Sequence, residues 1–399
     1  MITQKSKKGR DIAPAVSESE LRTLVEGNNS LAFNLYRTIQ DRDTNLFFSP
    51  FSIIMGLVMA YAGARKDTEK AMAESLKFHL SQDRLHPAFN YLDLHLTKLV
   101  HGATRNGGEV FKLHAVNTLW GQKGYKFLAQ FLDTLAQNYG ADLRILDFTN
   151  EPEKSRVAIN LWISDQTEDK IKDLVPEGVI DQLTRLILTN AIYFKAIWKY
   201  PFDASSTTED IFHLTDGKDI TVPMMKQTIS FRYSEGDIYQ AIELPYEGEN
   251  LSLLILLPKI GQSNTFEENL DERLVKNIVR VLKPQEVALT LPRFQCNFNF
   301  SLKDTLSTLG MGIAFTGEAD FSGMNSEHKL SIQDVLHQAF VAVDEAGTTA
   351  AAATAVIITT KFMRMLITEM KVDRPFVFLI RDIATESLLF LGRVLNPVR

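Results

Sequence analysis

The feature that most constrains this chain is a run of 15 uncharged residues between Glu345 and Lys361. Its first part, Thr348–Ala355, contains only Thr and Ala, and the β-branched residues Val356–Ile358 follow. The run is too short and too polar to span a membrane, which takes roughly 20 predominantly apolar residues. It is also not an ordinary core strand, because Ala buries little surface and prefers helix to strand. A segment like this can lie exposed and still enter a buried interface without carrying a charge into it.

The order of residues within the run indicates a segment that can be an exposed loop and can also become a strand in a sheet. Gly347 supplies an unusual backbone position at its start, and Lys361 ends it. As a strand, the run would direct every second side chain to one side of a sheet. Those side chains are all small or apolar: Thr348, Ala350, Ala352, Thr354, Val356 and Ile358.

Composition indicates a protein with a large core and no nucleic-acid partner. Hydrophobic residues make up 45% of the 399 residues and charged residues 23%, and the net charge is −6. An acidic chain of this kind argues against nucleic-acid binding as its main role. The length alone allows two or three domains, but no linker or repeat divides the chain. We therefore expect one α+β domain from residue 29 to 399, preceded by a flexible arm over residues 1–28.

The N-terminus and the single cysteine give little information about location. Residues 1–20 are polar and hold no apolar segment typical of a signal peptide. The protein is expected to be cytoplasmic if this is its native start, and extracellular if the chain is processed. Cys296 alternates with polar residues in "RFQCNFNF" and is predicted to be a buried thiol in a half-buried strand.

Local patterns predict interleaved helices and strands. Ser49 as N-cap and Pro50 at the first helical position open a helix that is apolar on nearly every side. Nearly continuous apolar runs predict strands covered on both faces at Leu186–Phe194 and Leu251–Pro258. Other predicted helices are Ser30–Gln40, Thr68–Leu76, Pro87–Leu99, Phe127–Tyr139 and Pro152–Leu174, with a strand at Val110–Trp120 and a C-terminal hairpin.

Sequence signatures of enzymes are missing. The chain has no G-x-S-x-G elbow, no phosphate-binding loop and no His-Glu-x-x-His helix. Its eight His residues fit no tight metal-binding spacing. We expect no catalytic residues, no metal and no cofactor.

Several long motifs, in order, resemble the serpin family of serine protease inhibitors. The resemblance covers nearly the whole chain from about Ser30 to Pro397. It is carried by "NLFFSPFSI" (Asn45–Ile53), "LTNAIYFKAIWKYPF" (Leu188–Phe202), "VLHQAFVAVDEAGTTAAAATA" (Val335–Ala355), "DRPFVFLIRD" and "LFLGRVLNP".

The resemblance implies a fold and a mechanism. The fold would have three β-sheets with about nine helices and an exposed reactive loop at about 345–370. An inhibitory serpin is a suicide substrate: the protease cleaves the loop, and the cleaved loop inserts into the central sheet while still attached to the acyl-enzyme. The implied partner is a trypsin-like serine protease in a covalent complex with a monomeric inhibitor, with no nucleic acid and no membrane.

Residues matching the family motifs fall into three groups. The hinge of the reactive loop would be Glu345, Gly347, Thr348, Thr349, Ala350, Ala351, Ala352 and Ala353. The breach, at the top of the sheet, would contain Trp198 beside an ion pair between Arg293 and Glu345. The shutter, a polar cluster under the middle of the sheet, would contain Ser49, Ser52, Asn190 and His337.

The scissile bond follows from counting along the loop. In inhibitory serpins the cleaved bond lies a nearly constant number of residues after the hinge glutamate. Counted from Glu345, the last residue before the cut is Lys361, so the resemblance implies that the reactive bond is Lys361–Phe362. A basic side chain there suits a trypsin-like specificity pocket. The bond Arg364–Met365 is the alternative, and Phe362 or Met363 would serve chymotrypsin-like enzymes.

The sequence also leaves alternative functions open. A non-inhibitory serpin, with a carrier, chaperone or storage role, would tolerate bulky or charged hinge residues, and Thr348–Ala355 contains none. An inhibitor of chymotrypsin-like or cysteine proteases is a further alternative. A heparin-type cofactor is not expected, because Lys98 is the one firm positive charge in "HPAFNYLDLHLTKLV".

Overall fold

The computed structural model of the protein describes residues 2–39, 43–102, 104–105, 108–109, 111–326, 330–348 and 367–398. Nine α-helices lie within these ranges. They are α1 (Glu18–Ile39), α2 (Pro50–Tyr61), α3 (Lys66–Leu76), α4 (Gln82–Gly102), α5 (Ala129–Tyr139), α6 (Pro152–Gln166), α7 (Ser263–Glu268), α8 (Glu272–Val281) and α9 (Lys303–Leu306).

Eighteen strands lie within the same ranges. They are β1 (Ile2–Gln4), β2 (Leu46–Phe48), β3 (Thr104–Arg105), β4 (Gly108–Glu109), β5 (Phe111–Gln122), β6 (Leu143–Leu146), β7 (Leu186–Ile197), β8 (Thr208–His213), β9 (Asp219–Glu235), β10 (Tyr239–Pro245), β11 (Leu251–Pro258), β12 (Lys283–Pro292), β13 (Phe294–Ser301), β14 (Ile332–Val343), β15 (Gly347–Thr348), β16 (Thr368–Lys371), β17 (Phe376–Asp382) and β18 (Leu388–Val394).

The strands form two large sheets and a two-stranded ribbon. The seven-stranded sheet has the order β1-β6-β5-β7-β15-β14-β13, and β7 also pairs with β14. The nine-stranded sheet follows β16-β12-β9-β10-β11-β17-β18-β2, with β8 added beside β9. The ribbon is β3-β4. This is the mixed α+β fold that the sequence predicts.

The core explains why the two apolar runs became central strands. All eight residues of β11 are buried, as are the first nine of β7. Leu188 and Ile192 of β7 face the main core, whereas Ile187 faces a second cluster beneath α6, which contributes Ile159. Both faces of the seven-stranded sheet are thus covered at β7, which a continuously apolar strand requires.

Helix α2 follows the sequence prediction closely. Ser49 is its N-cap, since the Ser49 hydroxyl oxygen accepts from the Ser52 backbone N–H, and Pro50 is at the start. Every residue from Pro50 to Tyr61 is buried. The helix packs against β5, β7 and β18, so it lies between the two large sheets.

The N-terminal region differs from the expected flexible arm. Strand β1 pairs antiparallel with β6 at the edge of the seven-stranded sheet. Arg10 forms an ion pair with Asp93 at 2.5 Å. Helix α1 crosses the expected boundary at residue 28 and starts at Glu18, well before the predicted Ser30.

A capping box explains the early start of α1. The Ser17 backbone N–H donates to Glu20 Oε2 at 2.9 Å, and the Glu20 backbone N–H donates to Ser17 Oγ at 3.3 Å. This reciprocal pattern of a Ser followed three residues later by a Glu is a signal for a helix start. Apolar periodicity alone missed it.

Helix α6 is shorter than predicted. It ends at Gln166 rather than Leu174, and Glu168 and Asp169 both adopt left-handed backbone conformations that break the helix.

Among the described residues, no helix is long and apolar enough to cross a membrane.

Cys296 lies in β13 with 1% of its surface exposed, and burial raises the pKa of its thiol to about 12.

Candidate functional site

The candidate site is the seam between β7 and β14, defined here as the boundary along which these two strands pair. They pair in parallel from Ile332 opposite Leu186 to Phe340 opposite Tyr193. Each is antiparallel to its other neighbour, β5 for β7 and β13 for β14. The seam is therefore a parallel joint in the middle of the sheet.

The start of the predicted hinge lies in the upper end of this seam. Gly347 pairs antiparallel with Ile197 of β7, and Thr348 pairs with Ala196 of β7 and with Val343 of β14. Thr348 is fully buried. Two hinge residues thus already occupy strand positions between β7 and β14.

The chain enters the seam through a tight turn after β14. Asp344 Oδ1 accepts hydrogen bonds from the backbone N–H groups of Ala346 and Gly347, at 2.9 and 3.2 Å. Gly347 has φ of +153°, and a Cβ there would lie 2.1 Å from the carbonyl oxygen of Ala196. Only glycine fits this combination of backbone conformation and close approach.

The ion pair expected at the hinge base is present. Arg293 donates from Nε and from a terminal nitrogen to Glu345 Oε1, at 2.9 and 2.6 Å. Thr207 Oγ1 donates to the same oxygen. Partial burial opposes ionisation of Glu345, but the hydrogen bonds from Arg293 and Thr207 outweigh it and lower the pKa of the Glu345 carboxyl.

Trp198 lies beside the turn that contains Glu345. Its indole Nε1–H donates to the carbonyl oxygen of Asp344 at 2.9 Å, and its backbone N–H donates to the carbonyl oxygen of Ala346 at 3.0 Å. The Trp198 ring stacks on Tyr246, with centroids 4.6 Å apart and planes 8° apart. The three residues predicted for the breach thus surround the base of the hinge.

The four residues predicted for the shutter also come together. The Ser49 backbone N–H donates to His337 Nε2 at 3.1 Å, and Asn190 pairs opposite His337 across the seam. Ser52 Oγ donates to Asn117 Oδ1 at 2.7 Å, and Asn190 Nδ2 donates to the same oxygen at 3.0 Å. The cluster connects the start of α2 to both strands of the seam.

The protonation of His337 follows from its surroundings. The ring is fully buried, and its Nε2 accepts a hydrogen bond, so Nδ1 carries the proton. Within the described part of the chain, Nδ1 has no hydrogen-bond partner. Burial lowers the pKa of His337 to about 3, so the ring is neutral at pH 7.

Sequence reasoning missed three residues of the site: Asn117, Thr207 and Tyr246. Asn117 left a weak signal, because it lies on the same side of β5 as Leu113 and Leu119, which pack in or against the main core. A polar residue at such a position needs a partner. Thr207 and Tyr246 left no local signal, since their partners lie 138 and 102 positions away in the chain.

The remaining predicted site residues lie outside the described residues. These are the hinge residues Thr349, Ala350, Ala351, Ala352 and Ala353 and the reactive-bond residues Lys361, Phe362, Arg364 and Met365. In the ranges that the structure describes, no group of three or more His, Cys, Asp or Glu residues is arranged to hold a metal ion.

Comparison with known proteins defines the class. The family model described as serpin (serine protease inhibitor) matches residues 26–397. The chain belongs to the serpin family.

Relatives cover nearly the full length. A serpin-like protein of Thermococcus kodakarensis is 40% identical over 387 residues, which are 96% of this chain and 88% of the relative. The leukocyte elastase inhibitor of Xenopus laevis is 36% identical, over 94% of this chain and all of the relative. The native structure of the thermophilic serpin tengpin superposes with a TM-score of 0.85 at 26% identity, covering 98% of this chain and 97% of tengpin.

Proposed function

We propose that the protein is a suicide-substrate inhibitor of serine proteases with trypsin-like specificity. In this proposal the protease cleaves the reactive loop, and the loop inserts into the seam while the acyl-enzyme is still intact. The observation that carries the proposal is the position of Gly347 and Thr348, which lie between β7 and β14 and antiparallel to both. A chain that continued in this direction would form a new central strand.

The geometry of the seam favours insertion energetically. A strand inserted there would replace one parallel ladder, between β7 and β14, with two antiparallel ladders. Antiparallel pairing is slightly more stable per residue, and the loop backbone would gain ladder hydrogen bonds on both sides. The native seam is therefore a place where the sheet can gain stability by accepting a strand.

The sequence beyond Thr348 fits such a strand. Thr348 contacts the main core through Tyr246, so residues 350, 352, 354, 356 and 358 would face the core as well. All are uncharged. Thr348 is already in the seam, so extending the strand by the 13 residues from Thr349 to Lys361 at roughly 3.3 Å each would place the acylated end about 43 Å further along the sheet. Displacement of the attached protease would strain its oxyanion hole and triad, on whose geometry deacylation depends.

Trapping is tested by mixing the protein with trypsin and running a denaturing gel. We expect a stable band of higher mass, the covalent complex. Cleavage without such a band would contradict inhibition and favour a non-inhibitory serpin. Sequencing the released C-terminal fragment locates the bond: we expect it to start at Phe362, and a start at Met365 would assign the cut to Arg364.

A pair of substitutions tests insertion as the mechanism. Ala352→Arg would place a charge on the core side of the inserted strand, whereas Ala351→Arg would place the same charge on the opposite side. We expect both variants to be cleaved, but only Ala352→Arg to lose most of the covalent complex. Trapping by Ala352→Arg at the level of the unmodified protein would rule out insertion with this orientation.

A further inference from the structure

A hydrogen bond between Tyr246 and Thr348 joins the hinge to the other large sheet. The two hydroxyl oxygens are 2.8 Å apart. Thr348 is fully buried, and 2% of the surface of Tyr246 is exposed. Burial raises the pKa of the Tyr246 hydroxyl, so the group stays protonated and can act as donor or acceptor.

Tyr246 is held rigidly on the side of the nine-stranded sheet. It follows β10 directly, and its backbone N–H donates to the carbonyl oxygen of Leu251 at 3.0 Å. Its ring is stacked on Trp198 and packs edge-on against Phe194, with centroids 5.3 Å apart. The Tyr246 hydroxyl therefore has a fixed position, and Thr348 must be in the seam to reach it.

We propose that Tyr246 is a positioning residue that keeps Thr348 inserted in the native protein and so provides the starting point for loop insertion. The inference rests on the proposed inhibitory function. Tyr246 lies outside the seam, and in this proposal it controls how far the hinge is inserted before a protease binds.

The expected kinetic effect follows from the cost of starting a strand. The first residues of a new strand must be ordered before their ladder bonds can compensate, whereas each later residue adds to an existing end. Thr348 is already paired to Ala196 and Val343, so insertion after cleavage only has to extend the end of an existing strand. Without this start, more of the acyl-enzyme would deacylate before it is trapped.

The test uses Tyr246→Phe, Thr348→Val and the double variant in the full chain. Both substitutions keep the shape and remove one hydroxyl. Hydrogen exchange of the native protein, followed by mass spectrometry, reports opening of the hinge. One lost hydrogen bond should raise exchange at the hinge and at the end of β7 roughly two- to tenfold in each single variant. Because the two hydroxyls are partners, the double variant should exchange no faster than the single variants.

Inhibition provides the second readout. The moles of inhibitor consumed per mole of trypsin inhibited should rise in all three variants, while the rate of loop cleavage stays unchanged. Tyr233→Phe is the matched control, since this tyrosine also lies in the nine-stranded sheet but bonds Glu235 and Gln240 instead of the hinge. It should alter neither readout.

The outcomes separate the two proposals. Failure of the unmodified protein to trap trypsin would overturn the inhibitory function, and exchange at the hinge would still test the hydrogen bond. Unchanged exchange in Tyr246→Phe, or additive effects in the double variant, would overturn the positioning role. Faster exchange with unchanged or lower inhibitor consumption would show that Tyr246 holds the hinge without starting insertion, which also overturns the proposal.

Discussion

Arg293 donates two hydrogen bonds to a single carboxylate oxygen of Glu345, at 2.9 and 2.6 Å. The Glu345 side chain is 12% exposed and that of Arg293 is 45% exposed, so the pair lies at the surface end of the seam. The backbone carbonyl of Glu345 also accepts from the Phe202 N–H at 2.9 Å. The pair therefore fixes the point at which the chain leaves β14 and turns back into the sheet.

Neutralising Glu345 should weaken this fixed point moderately. Glu345→Gln keeps an acceptor for Arg293 and Thr207 but removes the charge. Because Arg293 is partly exposed and screened by water, we expect a loss of about 1 kcal/mol in the free energy of unfolding. Urea unfolding, followed by near-ultraviolet circular dichroism, measures this loss in the free energy of unfolding.

Glu151→Gln is the control, because it removes a charge from an exposed ion pair with Lys154. It should change the free energy of unfolding by less than about 0.5 kcal/mol. Equal effects of the two substitutions would contradict a special role for Glu345.

Removing the shared acceptor of the shutter should be more costly. Asn117→Ala leaves Ser52 Oγ and Asn190 Nδ2 without the oxygen to which both donate. Ser52 and Asn190 are fully buried, so we expect a loss of about 2 kcal/mol or more. The same urea unfolding assay checks it, with Asn150→Ala at an exposed turn as control. A loss no larger than that of the control would show that the cluster is held together by other contacts.

The protein should lose stability as the pH falls below about 6.5. The pKa of His337 is about 3 in the folded protein, against an ordinary value of 6.5, so the unfolded chain binds more protons between these limits. His86, buried beside Tyr139, has its pKa lowered to about 4 and acts in the same direction. Each group costs roughly 1.4 kcal/mol per pH unit in this window, so His337 alone removes about 2 kcal/mol by pH 5. Its contribution is fully present above pH 6.5.

His337→Gln isolates this contribution. Gln can accept the hydrogen bond from the Ser49 N–H but does not titrate. Unfolding midpoints at pH 7.5 and pH 5.0 should differ less in the variant than in the unmodified protein. The same difference in both proteins would exclude His337 as a source of the acid sensitivity.

A side chain at position 347 should displace the hinge from the seam. Gly347→Ala would bring a Cβ within 2.1 Å of the Ala196 carbonyl oxygen, a backbone atom that cannot move aside. We expect faster hydrogen exchange at the hinge and a higher consumption of inhibitor per trypsin trapped. Gly317→Ala is the control, because a Cβ there meets nothing within 4 Å and its backbone is unstrained. Unchanged exchange in Gly347→Ala would show that the hinge tolerates a shifted path.

The elements that the sequence predicted well are those fixed by neighbours along the chain. The start of α2 follows from Ser49 and Pro50, whose capping geometry involves only the next few residues. Strand β11 has the bounds that its apolar run predicts, Leu251–Pro258. Family motifs added the pairing of Arg293 with Glu345, which no local pattern indicated. Where α1 begins was also encoded locally, in the Ser17–Glu20 capping box.

The tertiary structure alone decided which groups satisfy one another in the site. Asn117 joins Ser52 to Asn190 because β5 and β7 bring them together under the seam. Tyr246 meets Thr348 only where the two large sheets approach each other, across 102 positions of the chain. The sequence by itself determined that the segment after Glu345 can enter a sheet, because it carries no charge before Lys361. That its first two residues already lie between β7 and β14 was decided by the packing of the strands, since hydrogen-bond partners distant in the chain leave no local pattern.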